Sequence, residues 1–108
     1  MIFNILTLFP EMFEGFLKAS IIGRSIENNL LDVNLLNIRD FSEDKHKSVD
    51  DAPYGGGPGM VMTPQPLRDA IQSVDQDSHI VFLTPKGQPL DQKKVIDLSN
   101  QENITLIC

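Results

Sequence analysis

Cysteine occurs once in this sequence, at its last position, Cys108. A lone thiol excludes a disulfide framework, so the chain is expected to be held by an apolar core and to belong in a reducing, cytoplasmic compartment. Long apolar runs are missing too. The N-terminal stretch Ile2 to Phe9 has no basic flank and runs into Pro10 and Glu11, so it reads neither as a signal peptide nor as a membrane span. Basic residues are scarce, with 9 Lys and Arg against 15 Asp and Glu and a formal net charge of -6. Indiscriminate nucleic-acid binding needs clustered cations to neutralise phosphates, and this balance argues against it. The nearest basic cluster, Arg39, Lys45, His46 and Lys47, is interleaved with Asp40, Glu43 and Asp44 and reads as a solvated mixed-charge loop. His46 and His79 stand far apart, and with one cysteine there is no zinc spacing, so no metal site is expected.

What the sequence does have is glycine in one place. DAPYGGGPGM, residues 51 to 60, holds four glycines and two prolines beside the acidic pair Asp50 and Asp51. Glycine loses more conformational freedom on folding than any other residue, so such a cluster implies unusual backbone angles or close approach to a ligand. It is not a phosphate loop, because no Lys follows the glycines, and it does not join a strand directly to a helix as a dinucleotide turn would. Pro53, Tyr54 and Pro58 favour a shaped loop over a floppy connector. For Asp50 and Asp51 two readings stand at this point: turn capping in solvent, or ligand contact.

The 108 residues fit a single domain without visible repeats. Ile2 to Phe9 is a strand candidate, and Pro10 suits the opening of a helix that carries Phe13, Phe16, Leu17 and Ile21, with a break near Gly23 and an end at Asn28 and Asn29. Val33 to Ile38 follows as a strand, then a long loop without a period over residues 39 to 63. A helix opened by Pro66 presents Leu67, Ala70, Ile71 and Val74 on one stripe, and Ile80 to Leu83 reads as a buried strand that His79 opens as a structural residue. Asp91 suits the N-cap of a helix burying Val95 and Leu98, and Ile104 to Ile107 is a last strand. This alternation predicts an α/β domain with a mostly parallel sheet flanked by helices. The chain stops on that last strand, whereas ligands of such sheets sit beyond the carboxyl ends of the strands, so the sequence reads as cut.

LFPEMF at 8 to 13, NIRDF at 37 to 41, DKHKSVDDAPYGGGPGM at 44 to 60, PQPLRDAI at 64 to 71 and LTPKGQPLDQ at 83 to 92 closely resemble the bacterial tRNA (guanine-N1)-methyltransferase family, TrmD, of the SPOUT superfamily. The resemblance covers essentially the whole chain in order. It implies methyl transfer from S-adenosylmethionine to the ring nitrogen of the guanosine 3′ of the anticodon of tRNA, by a homodimer with a trefoil-knotted cofactor site. Family chains are more than twice as long, and the resemblance places residues 1 to 108 as the N-terminal part of the cofactor-binding domain. The glycine turn after the last strand, the knot and the catalytic aspartate are then expected beyond Cys108, with no catalytic residue in the chain itself.

The resemblance assigns Phe82, Leu83, Thr84 and Pro85 to the cofactor, at the carboxyl end of a strand where an α/β sheet holds ligands. Phe82 and Leu83 are expected to be core residues as well, which makes Thr84 and Pro85 the better functional candidates, while Gly87 serves the turn. Asp50, Gly57, Pro58, Gly59 and Met60, with His46, are assigned to the tRNA: a flat extruded base is gripped at its Watson-Crick edge, glycines permit close backbone approach, and a carboxylate accepts both hydrogens of the guanine edge. The general base is not assigned to Asp50. A magnesium-dependent phosphotransferase using Asp50 and Asp51 would need a phosphate loop or more acids. A noncatalytic folding or dimerising unit is the alternative from a different class; under either reading the cut is expected to leave Ile104 to Ile107 uncovered and sticky.

Overall fold

Four parallel strands in the order β2-β1-β6-β5 form the frame of the molecule: β1 is Ile2–Thr7, β2 Asp32–Asn37, β5 His79–Phe82 and β6 Asn103–Ile107. Between them the chain carries α1 (Glu14–Lys18), α2 (Ser20–Glu27), α3 (Pro64–Ser73) and α4 (Gln92–Ser99), and a small antiparallel ladder of β3 (Asp50–Asp51) and β4 (Val61–Met62). The computed structural model describes residues 1–53 and 55–108; Tyr54, one of the residues taken to shape the glycine loop, lies outside the described residues. Among the described residues no helix is long and apolar enough to cross a membrane.

Register explains which residues form the core. Leu36, Leu6, Ile107 and Phe82 are Cα partners across the four strands, so they share one face of the sheet. On that face α3 lays the predicted stripe: Ala70 is fully buried with Leu6, Ile38, Val49 and Ile107, and Leu67, Ile71 and Val74 pack around them. Truncating Leu6, which has no exposed surface, to alanine would cost about 2–5 kcal/mol. Ile5 and Ile104 bury the opposite face. There Leu98 of α4 faces a groove shared with Leu106 of β6, and right-handed crossovers place α2 on the same side.

Several expectations need correcting. The first helix is not broken at Gly23 but at Ala19, whose ψ of 146° is extended, and Ser20, whose φ is 52°. Gly23 lies inside α2, and a Cβ there would stand 2.5 Å from the Lys18 carbonyl oxygen, so glycine is what lets the end of α1 cross α2 so closely. The 39 to 63 stretch contains the β3–β4 ladder and a 3-10 turn, Ile38–Phe41. α3 starts at Pro64, two residues before the expected proline.

β5 is not a buried strand. It is an edge strand, bonded among the described residues only to β6, and Ile80, Phe82 and Leu83 are 48%, 63% and 56% exposed, so the core role expected of Phe82 and Leu83 is overturned. His79, expected as a structural residue, is exposed as well. Asp91 caps α4 as expected, its side chain accepting from the Lys94 amide at 2.8 Å, yet Val95 stays exposed and Leu98 is only half-buried. The last strand behaves in the opposite way: β6 lies between β1 and β5, and Ile104 and Ile107 are buried rather than uncovered.

Candidate functional site

The glycine stretch is the tip of a hairpin. Asp50 pairs with Met62 and Asp51 with Val61, and the hairpin is tied to the core at its base, where the backbone amide and the hydroxyl of Thr63 donate to the carbonyl of buried Val49 at 2.7 and 3.2 Å. Gly57 and Gly59 have φ of 112° and 82°, angles that L-residues rarely adopt, and a Cβ on either would meet nothing within 4 Å. These glycines therefore serve backbone conformation, and they leave open space above the chain rather than filling a packed crevice. Pro58 and Met60 share that exposed tip.

The two aspartates divide in role. Asp51 turns its Oδ1 back to accept from the Ala52 amide at 2.7 Å, a local turn-capping contact. Asp50 is exposed and makes no side-chain hydrogen bond among the described residues, so its carboxylate faces solvent with both oxygens available. His46 sits in the neighbouring turn, also exposed. That turn is held by Asp44, which accepts from the Ser48 amide at 3.1 Å, while the Ser42 hydroxyl donates to the Ser48 carbonyl at 2.6 Å. Hydrogen bonds from Ser48, with a smaller contribution from His46, hold the Asp44 carboxyl below its usual range. Lys47 pairs with Asp40 at 3.5 Å, which takes one cation out of the basic cluster and leaves Lys45 and His46 pointing to solvent.

Beyond Phe82, the Leu83 amide still donates to the Ile107 carbonyl at 3.1 Å, and Thr84 begins a turn in which the Gly87 amide donates back to the Thr84 carbonyl at 3.2 Å. A Cβ at Gly87 would make only ordinary 3.4 Å contacts and its φ is not positive, so this turn does not demand glycine. Phe82, Leu83 and Thr84 line a groove of about 490 Å³ together with Val81, Leu98 and Leu106; Pro85 follows outside it. The exposure of Phe82 and Leu83 thus has a shape: they are one apolar wall of a groove at the edge of the sheet.

A second depression was not foreseen. At the carboxyl ends of β1 and β6 lies a hollow of about 670 Å³ lined by Leu8, Phe9, Phe13, Phe16, Met62 and Cys108, among others. Burial on this wall pushes the Cys108 thiol up. Met62 links the hollow to the hairpin, since it pairs with Asp50. The structure therefore brings the hairpin together with the mouth of β1 and β6, whereas the Phe82 to Thr84 wall belongs to a separate groove. The signal for the hollow was present in LFPEMF, where Leu8, Phe9, Met12 and Phe13 crowd four large apolar side chains just past the end of β1.

The family model described as tRNA (Guanine-1)-methyltransferase TrmD matches residues 1–108. A tRNA (guanine-N(1)-)-methyltransferase from Caldanaerobacter subterraneus subsp. tengcongensis is 58% identical, the match covering 100% of this chain and 46% of that protein. One from Pasteurella multocida is 47% identical, again over 100% of this chain and 46% of the relative. The crystal structure of the tRNA (m1G37) methyltransferase from Aquifex aeolicus superposes with a TM-score of 0.89 at 33% identity, covering 100% of this chain and 50% of that one. The chain spans about half the length of the relatives it matches.

Proposed function

That this chain belongs to the tRNA (guanine-1)-methyltransferase TrmD family is the premise from which we propose that residues 1–108 form the N-terminal part of an enzyme that methylates guanine in tRNA. The observation that carries the reading is the match of the family model to all of residues 1–108. The guanosine methylated is the one 3′ of the anticodon, the enzyme is a cytoplasmic homodimer of the SPOUT type with a knotted cofactor site, and the methyl donor is S-adenosylmethionine. The exposed apolar wall of Phe82 and Leu83 suits one side of an adenosyl group, since small-molecule sites are largely apolar and concave with few polar anchors. S-adenosylmethionine supplies an electrophilic methyl group. Phe82, Leu83 and Thr84 would contribute shape and exclude water on one flank of it, with Pro85 fixing the turn that follows the groove, and none of the four would donate or accept the proton.

At the hairpin, the available carboxylate of Asp50 accepts from the exocyclic amino group of an extruded guanine and leaves the ring nitrogen open to its base and to the methyl group, and the open backbone at Gly57, Pro58, Gly59 and Met60 lets the nucleotide approach. Lys45 supplies a cationic contact to phosphate and His46 a hydrogen bond beside it, on an otherwise acidic surface. This is recognition and positioning; the base that removes the proton lies outside residues 1–108.

The test uses the full-length protein, S-adenosylmethionine labelled in its methyl group, and tRNA carrying guanosine at the anticodon-flanking position. Label is expected in the RNA and is expected to vanish when that guanosine is replaced. Equal labelling of both RNAs, or none of either, would refute the proposal.

A further inference from the structure

A polar row crosses the parallel sheet near its amino end, running from exposed Asn34 on the outer strand through half-buried Asn103 to a buried centre at Asn4, Thr105 and Ser78. Asn34 on β2 donates to Asn4 on β1 at 3.0 Å, and Asn4 in turn donates to Asn103 at 3.0 Å and to Thr105 Oγ1 at 3.4 Å, both on β6. Thr105 Oγ1 is also 2.6 Å from Ser78 Oγ, just before β5. Asn4, Thr105 and Ser78 are 7%, 0% and 9% exposed, and among the described residues no buried side-chain nitrogen or oxygen lacks a partner. Such a row is an unusual thing to bury, because unpaired polar groups are expensive there while apolar residues of the same size are not.

Its use follows from what the pleat can and cannot enforce. Side chains alternate between faces, so a slip of one residue between β1 and a neighbour would turn each side chain to the wrong face. A slip of two residues keeps the faces, and IFNILT against NITLI or DVNLLN is apolar enough at alternate positions to tolerate it. In the observed register Asn4 is the Cα partner of both Asn34 and Thr105. Shifting β2 by two sets Asn34 opposite Ile2 or Leu6, and shifting β6 by two sets Thr105 opposite the same residues. The shift toward Ile2 brings Leu36 or Ile107 against buried Asn4 and strands its amide, whereas the shift toward Leu6 brings Asp32 or Asn103 against Asn4 and instead sets Asn34 or Thr105 beside the fully buried Leu6.

We propose that Asn4 is a register-positioning residue, and that the Asn34–Asn4–Thr105–Ser78 row selects the observed strand register against two-residue slips. A buried asparagine that fixes register at some expense in stability is known physics in coiled coils, and here the same logic acts across a parallel sheet. The consequence reaches the candidate site, because register sets Leu6, Ile107 and Phe82 level with one another, and with them the carboxyl ends from which the hollow and the groove are built.

The test is a variant of the full-length protein in which the row is made apolar: Asn4→Leu with Thr105→Val and Ser78→Ala. Methyl spectra of protein labelled at the isoleucine δ1 carbons read the register at Ile5, Ile104 and Ile107, each of which is expected to give one resonance in the unsubstituted protein. A second resonance for these three, with isoleucines remote from the sheet unchanged, is the expected result. A single set at unperturbed positions would overturn the proposal, since a merely stabilising row would lower the melting temperature without creating a second register. Should the triple variant fail to fold, Thr105→Val with Ser78→Ala carries the same test at half the row: a minor second set supports the role, and its absence overturns it.

Discussion

Two adjacent aspartates with opposite employment give the sharpest residue-level test. Asp51 spends an oxygen on the Ala52 amide, whereas Asp50 is exposed and without a side-chain hydrogen bond among the described residues. A hydrogen bond to a charged group contributes about 1.5–3 kcal/mol, so if Asp50 holds the guanine edge, Asp50→Ala in the full-length enzyme should lower kcat/KM for tRNA by roughly 10- to 100-fold. Affinity for S-adenosylmethionine, measured by calorimetry, should stay as it was. Asp51→Ala removes only a local turn contact and should cost less than Asp50→Ala in the same assay. Equal losses in the two variants, or a loss of cofactor affinity in Asp50→Ala, would contradict the division of roles. The family resemblance favoured Asp50, but local pattern left the two aspartates equivalent because a solvent-facing carboxylate and a self-capping one have the same neighbours in one dimension. Only the direction of the Asp51 side chain separates them.

At the scale of elements, the junction of α1 and α2 is governed by one glycine. Gly→Ala inside a helix ordinarily stabilises by about 0.5–1 kcal/mol. At Gly23 the added Cβ would stand 2.5 Å from the Lys18 carbonyl oxygen, backbone that yields only by moving α1, so Gly23→Ala should instead destabilise by about 1–3 kcal/mol. Gly15, in α1, is the control: a Cβ there meets nothing within 4 Å, and Gly15→Ala should leave the melting temperature unchanged or raise it. Thermal unfolding of both variants checks the contrast, and a stabilised Gly23→Ala would show that the crossing is not tight. The same junction shows what was legible. The α3 stripe and the Asp91 cap could be read because periodicity and capping are local, whereas the break at Ala19 and Ser20 depends on one helix meeting another. β5 misled for a related reason: Ile80 to Leu83 has the composition of a buried strand, and its exposure follows from strand order, which no local pattern carries. β3 and β4, two residues each, are too short to show a period at all.

For the whole molecule, the apolar surface that the fold leaves open lies in two places. Around the hollow Phe9, Met12 and Phe16 are at least half exposed, and along the edge of β5 so are Phe82, Leu83 and Leu90. The sequence had anticipated sticky surface, but at β6, which the parallel register in fact seals between β1 and β5. Contiguous exposed apolar surface beside an unpaired strand edge favours association. The 108-residue chain by itself is therefore expected to self-associate, with apparent mass rising with concentration in light scattering behind a sizing column. It is also expected to bind S-adenosylmethionine weakly or not at all, because the Phe82 to Thr84 wall is one flank of a groove, and a ligand touched on one flank loses most of its burial while still incurring the entropy cost of association. Calorimetry on the same sample, beside the full-length protein, measures this directly. A chain that stays monomeric at high concentration and binds the cofactor with the affinity of the full-length protein would mean that the groove at β5 is already a complete site, and the assignment of only one wall to residues 1–108 would have to be abandoned.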